Sequence, residues 1–293
     1  MIFLLACAQA PVGRYSAVGD IVDGRLWVIG GAASVTEPLS DTWSLDLATM
    51  AWTRHDDAPE PIYRATASLA GEKLWIFGGD TGEALSDHFF EFDPAPGTYA
   101  DLPRGPIARY KAASVYASDT FYVLGGYGES VLADGWAYAA GEWAQLPMPV
   151  GYYRQSLTLL DDGTIYMFGG IDDVERSDHL YRFTGDSLPP VAFESGPGAR
   201  ASHCAWGGAS LRVWGGDGSD VDLWTFDGTA WSALALDPAP PARDAAVCAR
   251  DGDKLYVFGG DLFDEALPDF GADLWVFDGD AWAELLGPDG LSP

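Results

Sequence analysis

Among the pairs of adjacent glycines in the 293 residues, six recur at almost even spacing, and these six limit the fold of this chain more than any other feature. The pairs begin at Gly30, Gly78, Gly125, Gly169, Gly215 and Gly259. Self-similarity at a period of about 20–50 residues is the signature of repeat architectures. Length alone would favour two domains, since a domain usually holds roughly 100–200 residues. The regular repeats instead predict one closed unit.

The residues around each glycine pair repeat as well. Four residues, nearly all of them apolar or aromatic, precede every pair, as in Leu26-Trp27-Val28-Ile29, which indicates a strand buried on both faces. An Asp follows each pair and opens another strand, and a Trp or Tyr opens the next strand in all repeats except the fourth, which has Leu188-Pro189-Pro190 there. With the strand that comes before the glycine strand, each repeat supplies four strands.

This combination of a Gly-Gly pair, an Asp and a Trp resembles the kelch repeat from about Arg14 to Leu286. The resemblance implies an all-β fold, a six-bladed β-propeller with four antiparallel strands per blade, similar to the central domain of galactose oxidase. It also implies that blade one packs on blade six without exchanging a strand. We expect a short signal over residues 1–6, a tether over 7–13 and a single propeller domain over 14–293.

The charge balance excludes one class of partner. The chain has 44 Asp and Glu against 16 Lys and Arg, a net charge of −28. Such a field repels phosphate backbones, so no nucleic-acid partner is predicted. No apolar run reaches the 18 or more residues of a membrane-spanning helix, so any link to a membrane is expected to be an anchor.

The first residues resemble a bacterial lipoprotein signal. Leu4-Leu5-Ala6-Cys7 is similar to a lipobox, which implies lipidation of Cys7, export, and attachment to the cell envelope. The apolar stretch is shorter than a usual signal peptide and no Lys or Arg precedes it. An untargeted start whose apolar residues pack on the domain is therefore the alternative.

Two further cysteines, Cys204 and Cys248, occupy matching positions in successive repeats. An exported protein could oxidise them to a disulfide. A disulfide needs Cα atoms within about 7 Å, and strands of neighbouring blades are expected to lie farther apart. We therefore expect two buried, unpaired thiols.

A cation stands just before the first strand of every repeat. These cations are Arg14, Arg64, Lys111, Arg154, Arg200 and Arg243. Matching arginines line the pocket of kelch proteins that bind peptides, so the resemblance implies ligand contact here. The alternative is a structural role in which each side chain bonds loop carbonyls between blades.

Tyrosines precede the cation in repeats two to four only. They are Tyr63, Tyr110, Tyr152 and Tyr153. Tyr beside Arg is typical of binding hot spots, because it offers a flat apolar face with polar tips. We predict that this arc of tyrosines and cations is the ligand site.

Enzyme motifs were sought because some kelch relatives are enzymes. The four His share no local metal-ligand spacing, no calcium-loop pattern occurs in the acidic loops, and Gly-x-Ser-x-Gly is absent, so neither metal nor cofactor is predicted. We expect a monomeric, non-catalytic scaffold that binds a protein segment or a glycan. The alternatives are a carbohydrate-active enzyme of the sugar epimerase or mutarotase type, and a spacer in a surface complex.

Overall fold

Each sequence repeat folds into one antiparallel sheet, and the six sheets form the blades of a β-propeller. The computed structural model describes residues 10–217, 222–263 and 269–291, and within these ranges no helix occurs. The predicted all-β, six-bladed fold is confirmed.

The strands follow one another in chain order within each blade. Blade one contains β1 (Val18–Val22), β2 (Arg25–Ile29), β3 (Thr42–Asp46) and β4 (Ala51–His55). Blade two contains β5 (Thr66–Ala70), β6 (Lys73–Phe77), β7 (Phe89–Asp93) and β8 (Thr98–Asp101). Blade three contains β9 (Ala113–Ala117), β10 (Thr120–Leu124), β11 (Gly135–Ala139) and β12 (Glu142–Leu146).

The second half of the ring is less regular. Blade four contains β13 (Ser156–Leu159), β14 (Ile165–Phe168) and β15 (Leu180–Phe183). Blade five contains β16 (Cys204–Trp206), β17 (Leu211–Trp214), β18 (Leu223–Phe226) and β19 (Trp231–Leu234). Blade six contains β21 (Val247–Asp251), β22 (Lys254–Phe258), β24 (Leu274–Phe277) and β25 (Trp282–Leu286), and a short pair, β20 (Arg243–Asp244) with β23 (Asp261–Leu262), lies beside it.

The prediction of four strands per blade is wrong for blade four. Its outermost position is occupied by an irregular segment that bridges to β15 through Tyr181 and Pro190. The N–H of Val191 donates to the carbonyl of Leu180 at 2.8 Å, but Pro189 and Pro190 have no N–H to donate. Because two prolines interrupt the ladder, this segment covers the edge without forming a regular strand.

The second strand of each blade is buried between two neighbours, as its apolar sequence predicts. In β2, Trp27 and Ile29 pack into a core shared with blade two, whereas Leu26 and Val28 pack into a core shared with blade six. Blade one thus packs on blade six with all four of its own strands in sequence order, as the kelch resemblance implied.

The glycine pairs lie where adjacent blades meet. The second glycine of each pair donates its N–H to a carbonyl of the next blade at 2.6–3.0 Å, as Gly126 does to Tyr152. A Cβ on Gly125 would lie 2.1 Å from that same carbonyl oxygen, and both glycines have a positive φ. Only glycine allows both the approach and the backbone conformation, which explains why the pair recurs in every repeat.

In several blades a buried arginine forms a clamp with an aspartate of the same blade. In blade three the guanidinium of Arg109 donates to the carbonyl of Gly125 at 2.9 Å and to both carboxylate oxygens of Asp134 at 2.6 and 2.9 Å. Trp136 donates its indole N–H to the same carboxylate at 2.7 Å. Burial alone would raise the pKa of Asp134, but the hydrogen bonds from Arg109 and Trp136 outweigh it and lower the pKa. Equivalent clamps join Arg14 to Asp41 and Trp43, and Arg243 to Asp273 and Trp275.

The two cysteines form a disulfide, so the expectation of unpaired thiols is wrong. Cys204 of β16 and Cys248 of β21 have Cα atoms 5.7 Å apart. The first strands of all blades line the central channel, where adjacent blades converge. Neighbouring blades therefore come close enough for a disulfide at this radius.

The clamp generates a stability prediction. We expect Arg109→Met to lower the free energy of unfolding by about 3–5 kcal/mol, because it leaves the buried carboxylate of Asp134 without its cation. Arg104 pairs with Asp87 but is 66% exposed, so Arg104→Met is expected to cost only about 0–1 kcal/mol. Urea unfolding at neutral pH, followed by tryptophan fluorescence, measures both. Equal losses would contradict the assigned role of the clamp.

Candidate functional site

A closed ring of backbone hydrogen bonds surrounds one end of the central channel. Its members, called the mouth ring below, are Ser16, Arg64, Lys111, Arg154, Ser202 and Ala245. Each N–H donates to the carbonyl of the member in the preceding blade at 2.7–3.1 Å, and the N–H of Ser16 closes the ring onto Ala245. All six residues have φ between 52° and 62°, a left-handed conformation that is uncommon without glycine. All six also line one cavity of about 160 Å³.

The predicted ring of six cations divides into two sets. Only Arg64, Lys111 and Arg154 belong to the mouth ring. Arg14 and Arg243 are buried clamp residues, and Arg200 is buried as well, with its guanidinium donating to the carbonyl of Gly215 at 3.1 Å. The prediction that all six share one position is therefore wrong, because the buried arginines lie two residues earlier in the structural register.

Spacing to the glycine pairs separates some members of the two sets. Arg14 and Arg243 lie 16 residues before the glycine whose carbonyl they bond, and so does Arg109, which sequence reasoning missed. Arg64 and Lys111 lie only 14 residues before Gly78 and Gly125. Arg154 and Arg200 both lie 15 residues before Gly169 and Gly215, so this spacing does not separate that mouth residue from that buried arginine.

Three of the four predicted tyrosines lie together at the mouth. Tyr63, Tyr110 and Tyr153 directly precede a mouth-ring cation, and Tyr15, which was not predicted, holds the same position in blade one. Tyr152 is different. It occupies the clamp position of blade four, where it is buried and its hydroxyl bonds His179 Nδ1 at 2.9 Å.

Aromatic contacts link these tyrosines into an arc across blades one to four. The hydroxyls of Tyr15 and Tyr63 hydrogen-bond to each other. Tyr127, which follows the third glycine pair, was also missed by the sequence analysis. Its ring centroid lies 5.4 Å from that of Tyr110 and 5.3 Å from that of Tyr153. At the other end of the arc, Phe270 stacks on Tyr15 at 4.4 Å. Tyr15 and Tyr63 are buried in this arc, whereas Tyr110, Tyr127 and Tyr153 are partly exposed.

The two arginines of the mouth ring lie over these rings. The guanidinium carbon of Arg64 is 4.4 Å from the ring centroid of Tyr63 and 5.4 Å from that of Tyr110. That of Arg154 is 5.8 Å from Tyr153. Stacking orients the guanidinium planes by cation–π attraction. The Nε atoms of Arg64 and Arg154 are buried and have no hydrogen-bond partner among the described residues.

Acidic groups face the cations from blade six. Asp244 lies 4.0 Å from Arg154, and burial raises the pKa of Asp244 to about 6 although Lys111 opposes this. Burial, followed by repulsion from Arg154, lowers the pKa of Lys111 to about 7. The Lys111 ammonium donates to Ser202 Oγ at 3.2 Å on the far side of the cavity. The charge of the mouth therefore changes near neutral pH.

Residues 10–217, 222–263 and 269–291 hold no group of three or more His, Cys, Asp or Glu arranged to bind a metal. Within the same ranges, no helix has the length and apolar character needed to cross a membrane.

These charges predict pH-dependent anion binding. We expect inorganic sulfate to bind more tightly at about pH 5.5 than at about pH 8, because Lys111 gains a proton and Asp244 loses its charge as the pH falls. Asp244→Asn is expected to raise the affinity at pH 8 on the order of 3- to 10-fold. Isothermal titration calorimetry measures both effects.

The control for this prediction is Asp119→Asn, in the turn between β9 and β10 at the opposite end of the blade, which is expected to change nothing. Sulfate affinity that does not vary with pH in the unmodified protein would show that the mouth does not bind anions in this way.

Comparison with known proteins identifies the family. The model of the KLHDC2/KLHL20/DRC7 Kelch-repeats domain matches residues 5–170. Kelch domain-containing protein 10 of Rattus norvegicus is 28% identical over 195 residues, which cover 59% of this chain and 47% of that protein. The tRNA wybutosine-synthesizing protein 4 of Gibberella zeae is 32% identical over 136 residues, covering 43% and 13%.

The chain thus spans about half or less of the length of these curated relatives. The solved structure of YjhT superimposes with a TM-score of 0.76 at 16% identity, over 94% of this chain and 98% of that one, which shows a shared fold. With its repeats, its clamps and more than half of its length matched by the family model, this chain belongs to the kelch-repeat family.

Proposed function

We propose that this kelch propeller is a binding scaffold that holds a carboxylate-bearing segment of a partner protein at its channel mouth. The observation that carries the proposal is the convergence of Arg64, Lys111 and Arg154, from three consecutive blades, on one cavity. Arg is suited to this task because its planar fork pairs with a carboxylate through two hydrogen bonds.

The size of the cavity favours a chain segment over a large ligand. About 160 Å³ accommodates one small acidic group, whereas pockets for drug-sized ligands are roughly 300–1,000 Å³. Tyr110, Tyr127 and Tyr153 lie near the cavity, are partly exposed, and offer aromatic surface to the residues that flank such a group, whereas Tyr15 and Tyr63 are buried beneath the mouth. Tyr and Arg together are enriched among the residues that carry most of the binding energy at protein interfaces.

A peptide selection tests the proposal. A random peptide library is passed over the immobilised protein, and the enriched peptides are expected to carry Asp, Glu or a free carboxylate. Their affinity is expected to fall at least about tenfold in the double variant Arg64→Gln/Arg154→Gln, because each charge-assisted hydrogen bond is worth about 1.5–3 kcal/mol. Thermal unfolding confirms that the variant is folded.

The matched control is Arg25→Gln. Arg25 is exposed and pairs with Asp46 at 3.0 Å, at the end of blade one away from the mouth, so its loss is expected to leave peptide binding unchanged. An array of acidic glycans is probed in parallel, because a sugar carboxylate shares the same chemistry. Binding of glycans without peptides, or no effect of the double variant, would overturn the proposal.

We further propose that the protein is exported and anchored by a lipid on Cys7. Leu4-Leu5-Ala6-Cys7 supports this proposal, although Cys7 lies outside the described residues. The disulfide between Cys204 and Cys248 supports it independently, because disulfides persist in oxidising compartments and are rare in the cytosol.

Mass spectrometry of the N-terminal peptide from the native host tests the anchor. A peptide that begins at Cys7 and carries acyl chains is the expected result. A peptide that begins at an unmodified Met1 would refute both cleavage and lipidation.

A further inference from the structure

We propose that Lys111 is a reactive amine that forms an imine with small 2-oxo acids bound in the mouth cavity. This chemistry goes beyond peptide binding and requires no partner protein. The proposal rests on the position of the Lys111 amine, which lines a solvent-accessible cavity together with the guanidiniums of Arg64 and Arg154.

The surroundings of Lys111 differ from those of the other two lysines in the chain. Lys73 forms ion pairs with Glu91 at 2.5 Å and Asp93 at 3.1 Å, and Lys254 is exposed. Lys111 is half-buried, and its hydrogen bond to Ser202 Oγ is to an uncharged group. Among the described residues, no carboxylate lies within ion-pair distance of its ammonium. The charged form of Lys111 is therefore weakly stabilised compared with that of Lys73.

The charged groups around Lys111 act in opposite directions. Arg154 and Arg64 repel the ammonium, whereas the carboxylates of Asp244 and Asp217 attract it. Burial is the largest influence, and together with the arginines it lowers the pKa to about 7. Lys111 therefore has a much larger neutral fraction at pH 7 than an ordinary lysine, for which fewer than about one side chain in a thousand is neutral. A desolvated lysine beside other cations is a known way to activate an amine for imine formation.

The same cavity offers a binding site for a carboxylate. Arg64 and Arg154 line the cavity together with Lys111, and both guanidiniums are close enough to repel its ammonium. A 2-oxo acid carries its carbonyl carbon directly next to its carboxylate. When the carboxylate pairs with an arginine, the carbonyl carbon is held close to the Lys111 nitrogen, which raises its effective concentration there.

The reaction balances without any further reagent. The neutral nitrogen attacks the carbonyl carbon and a C–N bond forms. The C–O bond then breaks, and the carbonyl oxygen leaves as water with the two protons that were on the nitrogen. The Ser202 hydroxyl, 3.2 Å from the nitrogen, lies where it can relay one of these protons. The product is an imine, and addition of water reverses the step.

Reductive trapping with pyruvate tests the proposal. The full chain is incubated at pH 7 with pyruvate and sodium cyanoborohydride, which reduces the imine to a stable amine, and the adducts are mapped by peptide mass spectrometry. We expect Lys111 to be labelled at least about tenfold more than Lys73 or Lys254. The comparison is made within one unmodified protein, so it does not depend on the folding of a variant.

Two controls separate specific from general reactivity. Pyruvamide has the same ketone but no carboxylate, and it is expected to label Lys111 at least about tenfold less than pyruvate does. Arg154→Gln is expected to reduce labelling by pyruvate, because it removes a carboxylate partner and a neighbouring positive charge. Equal labelling of the three lysines, or equal labelling of Lys111 by pyruvate and pyruvamide, would overturn the proposal. Peptide binding is measured without a carbonyl compound, so either proposal can fail alone.

Discussion

The hydrogen bond from each glycine pair to the next blade is the contact on which the rest of the structure depends. Gly31 donates to the carbonyl of Ile62 at 2.6 Å, and the same bond recurs around the ring to Gly260 and Arg14. Because each of these carbonyls comes just before a mouth-ring residue, the glycine pair fixes the backbone that leads into the channel mouth. The mouth ring then closes through six backbone bonds of its own, which offset the cost of a left-handed conformation, about 1–2 kcal/mol per residue.

This construction separates the structural role of a mouth-ring residue from its side chain. The backbone closes the ring whether the side chain is that of Ser16, Lys111 or Ala245. Two residues earlier, the side chain itself is structural, and blades with a clamp have Arg there. Blade two has Ile62 at that position, and its Asp87 pairs instead with exposed Arg104. Side-chain chemistry can therefore vary in the mouth ring at little cost to the fold, whereas replacing a clamp arginine also removes a structural ion pair.

Sequence reasoning predicted the fold because kelch signals are local and repeated. It failed where the outcome depends on how far a strand lies from the channel axis, or on the exact position of a residue within its repeat. The disulfide of Cys204 and Cys248 requires knowing how closely first strands converge at the channel. The cations were placed in one set because each stands near the start of a strand, yet a shift of two residues takes Arg14 into the core and leaves Arg64 in the mouth. The sequence analysis missed Asp244, because this residue stands in blade six at the position that holds a tyrosine in blades one to four, and not at a cation position.

The net charge of −28 and the positive mouth together restrict the ligand more than either does alone. A strongly acidic partner is repelled by the whole protein before it reaches Arg64 and Arg154, since long-range fields control encounter. A strongly basic partner is attracted to the surface but meets the same two arginines at the mouth. For the proposed function, the combination favours a segment whose single carboxylate enters the cavity while neutral or basic residues flank it. Asp244, 4.0 Å from Arg154, sharpens this selection, because an entering carboxylate must compete with it for that guanidinium.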